Sequence, residues 1–199
     1  MIEIHDITNT IFTSKTYILS KPGEDKAWLV DIGDIAPVVE YLNIRNQKAV
    51  GVFLTHAHFD HIYGIEALVK QYPDCKVYCT EYTKEALASE KLNMSKYNGT
   101  PFCYSGGNVV TVHEGELMAL FEGESPILFY ETPGHNPGCL TMVIRDVIFT
   151  GDSYMPGIGT TTTLPYANKA QAKHSMERII ALSKGKRILS GHLIDNNLM

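Results

Sequence analysis

No stretch of this 199-residue chain approaches the roughly 18 apolar residues in a row that a bilayer-spanning helix requires. Runs such as residues 49–54, with Gly51 inside, fall far short. Glu3 and Asp6 stand early, with neither a basic n-region nor an apolar h-region, so no signal peptide and no membrane association are expected. A cytoplasmic location is the default expectation. Cysteine is sparse as well. Cys75, Cys79, Cys103 and Cys139 do not form the dense framework of a small secreted protein, and all four are expected as free thiols. Basic residues are missing from a quarter of the chain. No Lys or Arg lies between Lys96 and Arg145, whereas Glu114, Glu116, Glu122, Glu124 and Glu131 all do, and the net charge is -5. Contacts from Lys and Arg to phosphate supply most of the affinity for nucleic acid, so nucleic acid is not an expected partner. A small-molecule substrate is.

The rest of the composition, 44% hydrophobic and 20% charged, is that of a globular chain. A domain of this length buries roughly 70% of its unfolded surface and folds without disulfides. There is no internal repeat, low-complexity tract or linker, so residues 1–199 are expected to form a single domain, with the oligomeric state left open. Alternation of apolar and polar residues over the first 33 positions, broken by Lys21-Pro22-Gly23, predicts short strands and turns. Helices are predicted over residues 37–46, 60–71, 81–89 and 169–183. Strands are predicted over 49–54, 76–80, 109–113, 127–131, 140–145, 147–150 and 187–190, with a long surface loop at 90–108. Strands and helices alternate in two similar halves, which suggests two sheets with helices outside them.

Chemistry concentrates after the strand at 49–54, in Thr55-His56-Ala57-His58-Phe59-Asp60-His61. At this content of His and Asp, an H-x-H-x-D-H pattern arises by chance with probability roughly 0.0006. Imidazole and carboxylate side chains are the usual ligands of zinc and similar divalent ions. One such cluster fills a metal's coordination only partly. Three further polar residues each follow a glycine at the end of an apolar run: His135 after Gly134, Asp152 after Gly151, and His192 after Gly191. Loops at one end of a sheet would bring all of them together.

The whole set resembles the metallo-β-lactamase superfamily, across essentially the entire chain. The resemblance implies an α/β fold of the four-layer αββα type, with metal ligands at one edge between the two sheets. It implies a first metal held by His56, His58 and His135, a second held by Asp60, His61 and His192, and Asp152 bridging them. Val30-Asp31-Ile32-Gly33 is similar to the family's early V-D-x-G element, which makes Asp31 a support for the histidine loop from behind. His61 after Asp60, and Asp152 in place of a cysteine, resemble the glyoxalase II and related thioester-hydrolase branch. Asn136 departs from the Thr or Ser usual there, and Gly157-Ile158-Gly159-Thr160-Thr161-Thr162-Thr163 replaces the expected Gly-Arg and acidic elements. Only seven residues follow His192, so the helical extension that binds glutathione in full-length glyoxalase II is expected to be missing.

What the resemblance implies for function is a metal-dependent hydrolase of a small ester-like substrate, a thioester foremost. Two divalent cations, zinc before iron or manganese, would share a hydroxide nucleophile, with Asp60 and Asp152 as catalytic carboxylates. A persulfide dioxygenase with one iron on His56, His135 and Asp152 is the alternative, and a phosphodiesterase the second. Elsewhere, His5, His113 and His174 are expected to be ordinary surface or core residues, and Cys75 and Cys79 core thiols. Cys139 is expected to be buried, with an active-site thiol as the minor reading. Ser153 lacks a free general base and is rejected as a nucleophile. Asn136 is expected to shape the turn between Gly134 and Pro137, with a hydrogen bond donated near the site as the other reading. Met94, Tyr97, Phe102 and Tyr104 either cap the substrate or pack the 90–108 loop on itself.

Overall fold

A computed structural model describes residues 1–194; the last stretch of the single-domain expectation, and most of the chain beyond His192, lies outside the described residues. Two sheets face each other. The first has six strands in spatial order: β1 (Glu3–Thr8), β2 (Lys15–Ser20), β3 (Lys26–Val30), β4 (Lys48–Phe53), β5 (Lys76–Cys79) and β6 (Val109–Thr111). The second runs from β11 (Arg187–Ser190) through β10 (Val147–Gly151), β9 (Leu140–Ile144) and β8 (Ile127–Glu131) to β7 (Leu117–Met118).

Period-2 alternation sorts each strand of the first sheet between two cores. Ile18, Ala27, Leu29, Val52 and Val77 point outward to meet Val38 and Leu42 of α1 (Ile35–Ile44), Ile65 and Leu68 of α2 (Ile65–Gln71), and Leu87 of α3 (Glu81–Leu87). Their neighbours Tyr17, Leu19, Val30 and Phe53 point inward to Phe129, Leu140, Met142 and Phe149 of the second sheet. Against that sheet's outer side α4 (Lys169–Leu182) buries Ala172, Ser175 and Ile179. Ser175 donates to the carbonyl of Pro133 at 2.7 Å, and Arg178 stacks over the Tyr130 ring. The layers run helix, sheet, sheet, helix, as the sequence predicts.

The halves are less alike than expected. β3 to β6 pair in parallel, and parallel neighbours need long crossovers, which α1, α2 and α3 supply. β7 to β10 pair antiparallel and are joined by turns, leaving α4 as the sole crossover of that half among the described residues. The helix predicted over 60–71 begins only at Ile65. Its first residues instead form a 3-10 turn, Phe59–His61. The backbone there is committed to β3's loop: Ile32 N–H donates to the His61 carbonyl at 2.9 Å and Gly64 N–H to that of Ile32 at 3.2 Å. β7, two residues long, has no periodicity to read. None of the described helices is long and apolar enough to cross a membrane.

Candidate metal centre

Every predicted site residue follows a strand at the same end of the sandwich. Asp31 follows β3, His56 to His61 follow β4, His135 follows β8, Asp152 follows β10 and His192 follows β11. Two glycines set how closely these loops meet. Gly151 takes a φ of +49°, and a Cβ there would come within 2.6 Å of the Thr55 side chain. A Cβ on Gly191 would run into Asp152 itself. Each glycine is therefore what lets the polar residue after it approach the histidine loop.

Three overlapping trios of ligand-type atoms result: His56, His58 and His135 in the first, Asp60, His61 and His192 in the second, and His56, His61 and Asp152 linking them. In the first, His135 Nε2 and His58 Nδ1 are 3.0 Å apart. In the second, His61 Nε2 and His192 Nε2 stand at 3.3 Å, and each is 3.3 Å from Asp60 Oδ2. Asp152 lies between them, its Oδ2 at 3.4 Å from His135 Nε2 and 3.3 Å from His192 Nε2, its Oδ1 at 3.5 Å from His61 Nε2.

The outward-facing ring atoms decide which nitrogen carries a proton. His61 Nδ1 meets Asp31 Oδ2 at 2.8 Å, His135 Nδ1 the Thr161 carbonyl at 2.9 Å, and His192 Nδ1 the Phe12 carbonyl at 2.8 Å. These oxygens only accept, so all three Nδ1 atoms donate. Thr55 Oγ1 gives its own proton to Asp31 Oδ2 at 2.7 Å and so accepts from His56 Nδ1 at 3.1 Å. Four rings thus turn Nε2 inward with its lone pair free for a metal. His56 Nε2 and Asp152 Oδ1 are buried with no hydrogen-bond partner. Orphaned polar atoms of this kind are costly unless a cation satisfies them, so the donor set fits divalent metal.

Charge agrees with geometry. Burial, helped by His61 and His58, pushes His56 well below its ordinary range, and burial with His135 pushes His58 down to about 3. Burial opposes charge on His61, but Asp60, Asp152 and Asp31 outweigh it and raise the ring well above its usual value. Burial likewise opposes Asp152, yet His61, His192 and His56 hold its carboxyl well below the usual carboxylate range. Three carboxylates around His61 call for positive charge at this point.

Asp31 touches none of the cavity. It sits in the left-handed region at φ 56° and accepts from Thr55 N–H at 2.7 Å as well as from Thr55 Oγ1 and His61. Thr55 thereby ties Asp31 to His56, a role that sequence reasoning missed although the residue immediately precedes the H-x-H motif. Asn136 combines the two readings offered for it. Its Oδ1 accepts from Gly138 N–H at 2.9 Å, shaping the turn, and its amide also stands 3.3 Å from His58 Nε2. Cys139 is buried, as expected, lies outside the cavity lining among the described residues, and has its thiol pushed up to about 12 by burial. Ser153 Oγ is occupied with Thr132.

A cavity of about 340 Å³ opens over the cluster, and Asp60, Asp152, His58, His135 and His192 form its floor. Its rim comes from three loops: Phe12 from one, Met94, Tyr97 and Asn98 from the second, Thr161 and Leu164 from the third. Phe12 (φ 52°) and Met94 (φ 66°) are held in the left-handed region, which costs a bulky residue on the order of 1 kcal/mol or more. The 90–108 loop divides its aromatics: Tyr97 faces the cavity with Met94, whereas Phe102 and Tyr104 pack against the helix-side core.

The sequence profile of the metallo-beta-lactamase superfamily matches residues 15–192. A curated hydroxyacylglutathione hydrolase of Cronobacter sakazakii is 31% identical over 170 residues, 85% of this chain but 58% of that relative. The chain thus spans well under two thirds of the relative's length. Among solved structures, the BLEG-1 B3 metallo-beta-lactamase superposes with a TM-score of 0.85 at 23% identity, covering 96% of this chain and 92% of that one. TTHA1623, crystallised in a di-iron-bound form, gives 0.80 at 24% identity over 96% and 92%. At these identities the structural likeness speaks to the fold.

Proposed function

The chain belongs to the metallo-beta-lactamase superfamily, and from that premise we propose that it is a metal-dependent hydrolase, working with a pair of divalent cations on a small ester-like substrate, a thioester foremost. The double trio joined through Asp152 carries this reading. Imidazole with carboxylate suits zinc and also accommodates iron or manganese. Bound there, two such cations would supply a water activated for attack at neutral pH and a Lewis acid for the carbonyl oxygen.

The chain's own residues do the rest. His56, His58 and His135 would hold one cation and Asp60, His61 and His192 the other, with Asp152 shared between the two sets. Asp60 lines the cavity as well as facing His61 and His192, so its carboxylate orients the attacking water and accepts its proton. The water oxygen bonds to the carbonyl carbon, the C–S bond breaks, and the departing thiolate takes up the proton. Likeness to a hydroxyacylglutathione hydrolase supports the thioester over other esters. The alternative, a single iron on His56, His135 and Asp152 as in a persulfide dioxygenase, uses the same gathered residues, and metal stoichiometry separates it from the dinuclear reading. A phosphodiester is disfavoured because no Lys or Arg lines the cavity. The test is hydrolysis of a panel of thioesters and esters by zinc-loaded protein. Turnover with kcat/KM of about 10⁴ M⁻¹s⁻¹ or above on a thioester supports the reading; inertness toward the whole panel overturns it.

A further inference from the structure

Granting the hydrolase reading, on which this step rests, we propose that the rim of the cavity is a subsite for an uncharged, apolar acyl group. Phe12, Met94, Tyr97 and Leu164 converge from three separate loops on the opening that leads to Asp60 and Asp152. Phe12 is 61% exposed, Tyr97 60% and Leu164 37%. A fold that buries most of its large apolar side chains thus leaves three around one mouth, and an exposed apolar patch bordering a polar floor marks a binding surface.

The charge pattern points the same way. Among the described residues, no charged residue other than Asp60 and Asp152 lines the cavity beside its histidines. Residues 7–14 and 153–168, which carry Phe12 and Leu164, contain no charged side chain at all. The basic group beside Tyr97, Lys96, stands 3.9 Å from Glu90. A carboxylate on the acyl group would leave water for a rim offering no basic side chain to pair with it. An aliphatic or aromatic acyl group would instead cover side chains now in water. At about 340 Å³ the cavity lies near the small end of ligand sites, enough for an acyl group while the leaving thiol projects to solvent.

The experiment compares zinc-loaded protein on acetyl, hexanoyl and succinyl thioesters of one uncharged thiol, N-acetylcysteamine, so that only the acyl group varies. The expected result is kcat/KM at least about tenfold higher for hexanoyl than acetyl, with succinyl below both. Phe12→Ala combined with Leu164→Ala should pull the hexanoyl-to-acetyl ratio below about threefold. A binding readout runs beside turnover: N-methylhexanamide should shift the Met94 methyl and Tyr97 ring NMR signals, and N-methylsuccinamate should not. Hydrolysis of all three thioesters without a hexanoyl preference, or with succinyl foremost, overturns the subsite and leaves the hydrolase reading standing. Inertness toward all three, with the hexanamide still bound, upholds the subsite and overturns the hydrolase reading. Inertness with no hexanamide shift overturns both.

Discussion

The floor and the rim of the cavity are built by opposite rules. On the floor, four histidine rings are oriented from behind by Asp31, Thr55 and two backbone carbonyls, and His56 Nε2 and Asp152 Oδ1 are left buried without a partner. At the rim the side chains are mostly apolar and exposed, and two of the three loops that carry them have no charged residue. A polar site that must hold cations needs every ring fixed in one orientation, because a wrong tautomer removes a ligand. A surface that recognises an apolar group needs only area and freedom from competing charge. The difference separates chemistry from selectivity, and each can be perturbed without the other.

The largest effect should come from the floor. Asp152→Ala removes the carboxylate shared by both trios, and kcat/KM should fall about a thousandfold or more on every substrate alike, measured together with metal content. An equal loss confined to one acyl class would break the division. Next, Asp31→Asn keeps the shape but removes the charge that faces His61 and Thr55. Zinc affinity should drop about 10–100-fold, read by chelator competition, with the fold retained in circular dichroism. Asp31→Ala leaves a buried ring N–H and a backbone N–H without an acceptor, and should lower stability by about 3–5 kcal/mol. At the rim, Tyr97→Ala should leave metal content at the wild-type level and alter selectivity by a few fold, on the order of one partly buried aromatic contact. The smallest effect lies away from both. Cys75, Cys79 and Cys139 are pushed up to about 12 by burial, so at pH 8 they are almost wholly protonated. Iodoacetamide should label Cys103, the exposed thiol, and mass spectrometry should find the other three unmodified.

Legibility in the sequence follows the same line. The floor could be read because ligand chemistry restricts residue type: H-x-H-x-D-H and three polar residues behind glycines have few other reasons to exist, and the structure gathers all seven. The sandwich could be read from period-2 strands and helical spacing, with β8 and β11 placed to the residue. The 3-10 turn at Phe59–His61 was missed because Asp60, Phe59 and Ile62 fit a helical face equally well, and it is a backbone bond from Ile32 that decides. The carbonyls of Phe12 and Thr161, which fix His192 and His135, leave no mark on residue identity. Phe12 and Leu164 were invisible as rim residues because loops have no periodicity and only the fold brings those at 12, 97 and 164 together.

Metal content is the most direct test of the central claim. The protein would be purified without added metal, its elemental composition measured per chain, and the measurement repeated on Asp152→Ala. About two divalent cations per chain in the wild type, and a clear loss in the variant, is the predicted result. A wild-type chain with a single iron, or one that takes up no metal when zinc is supplied, would contradict the dinuclear floor on which the whole reading stands.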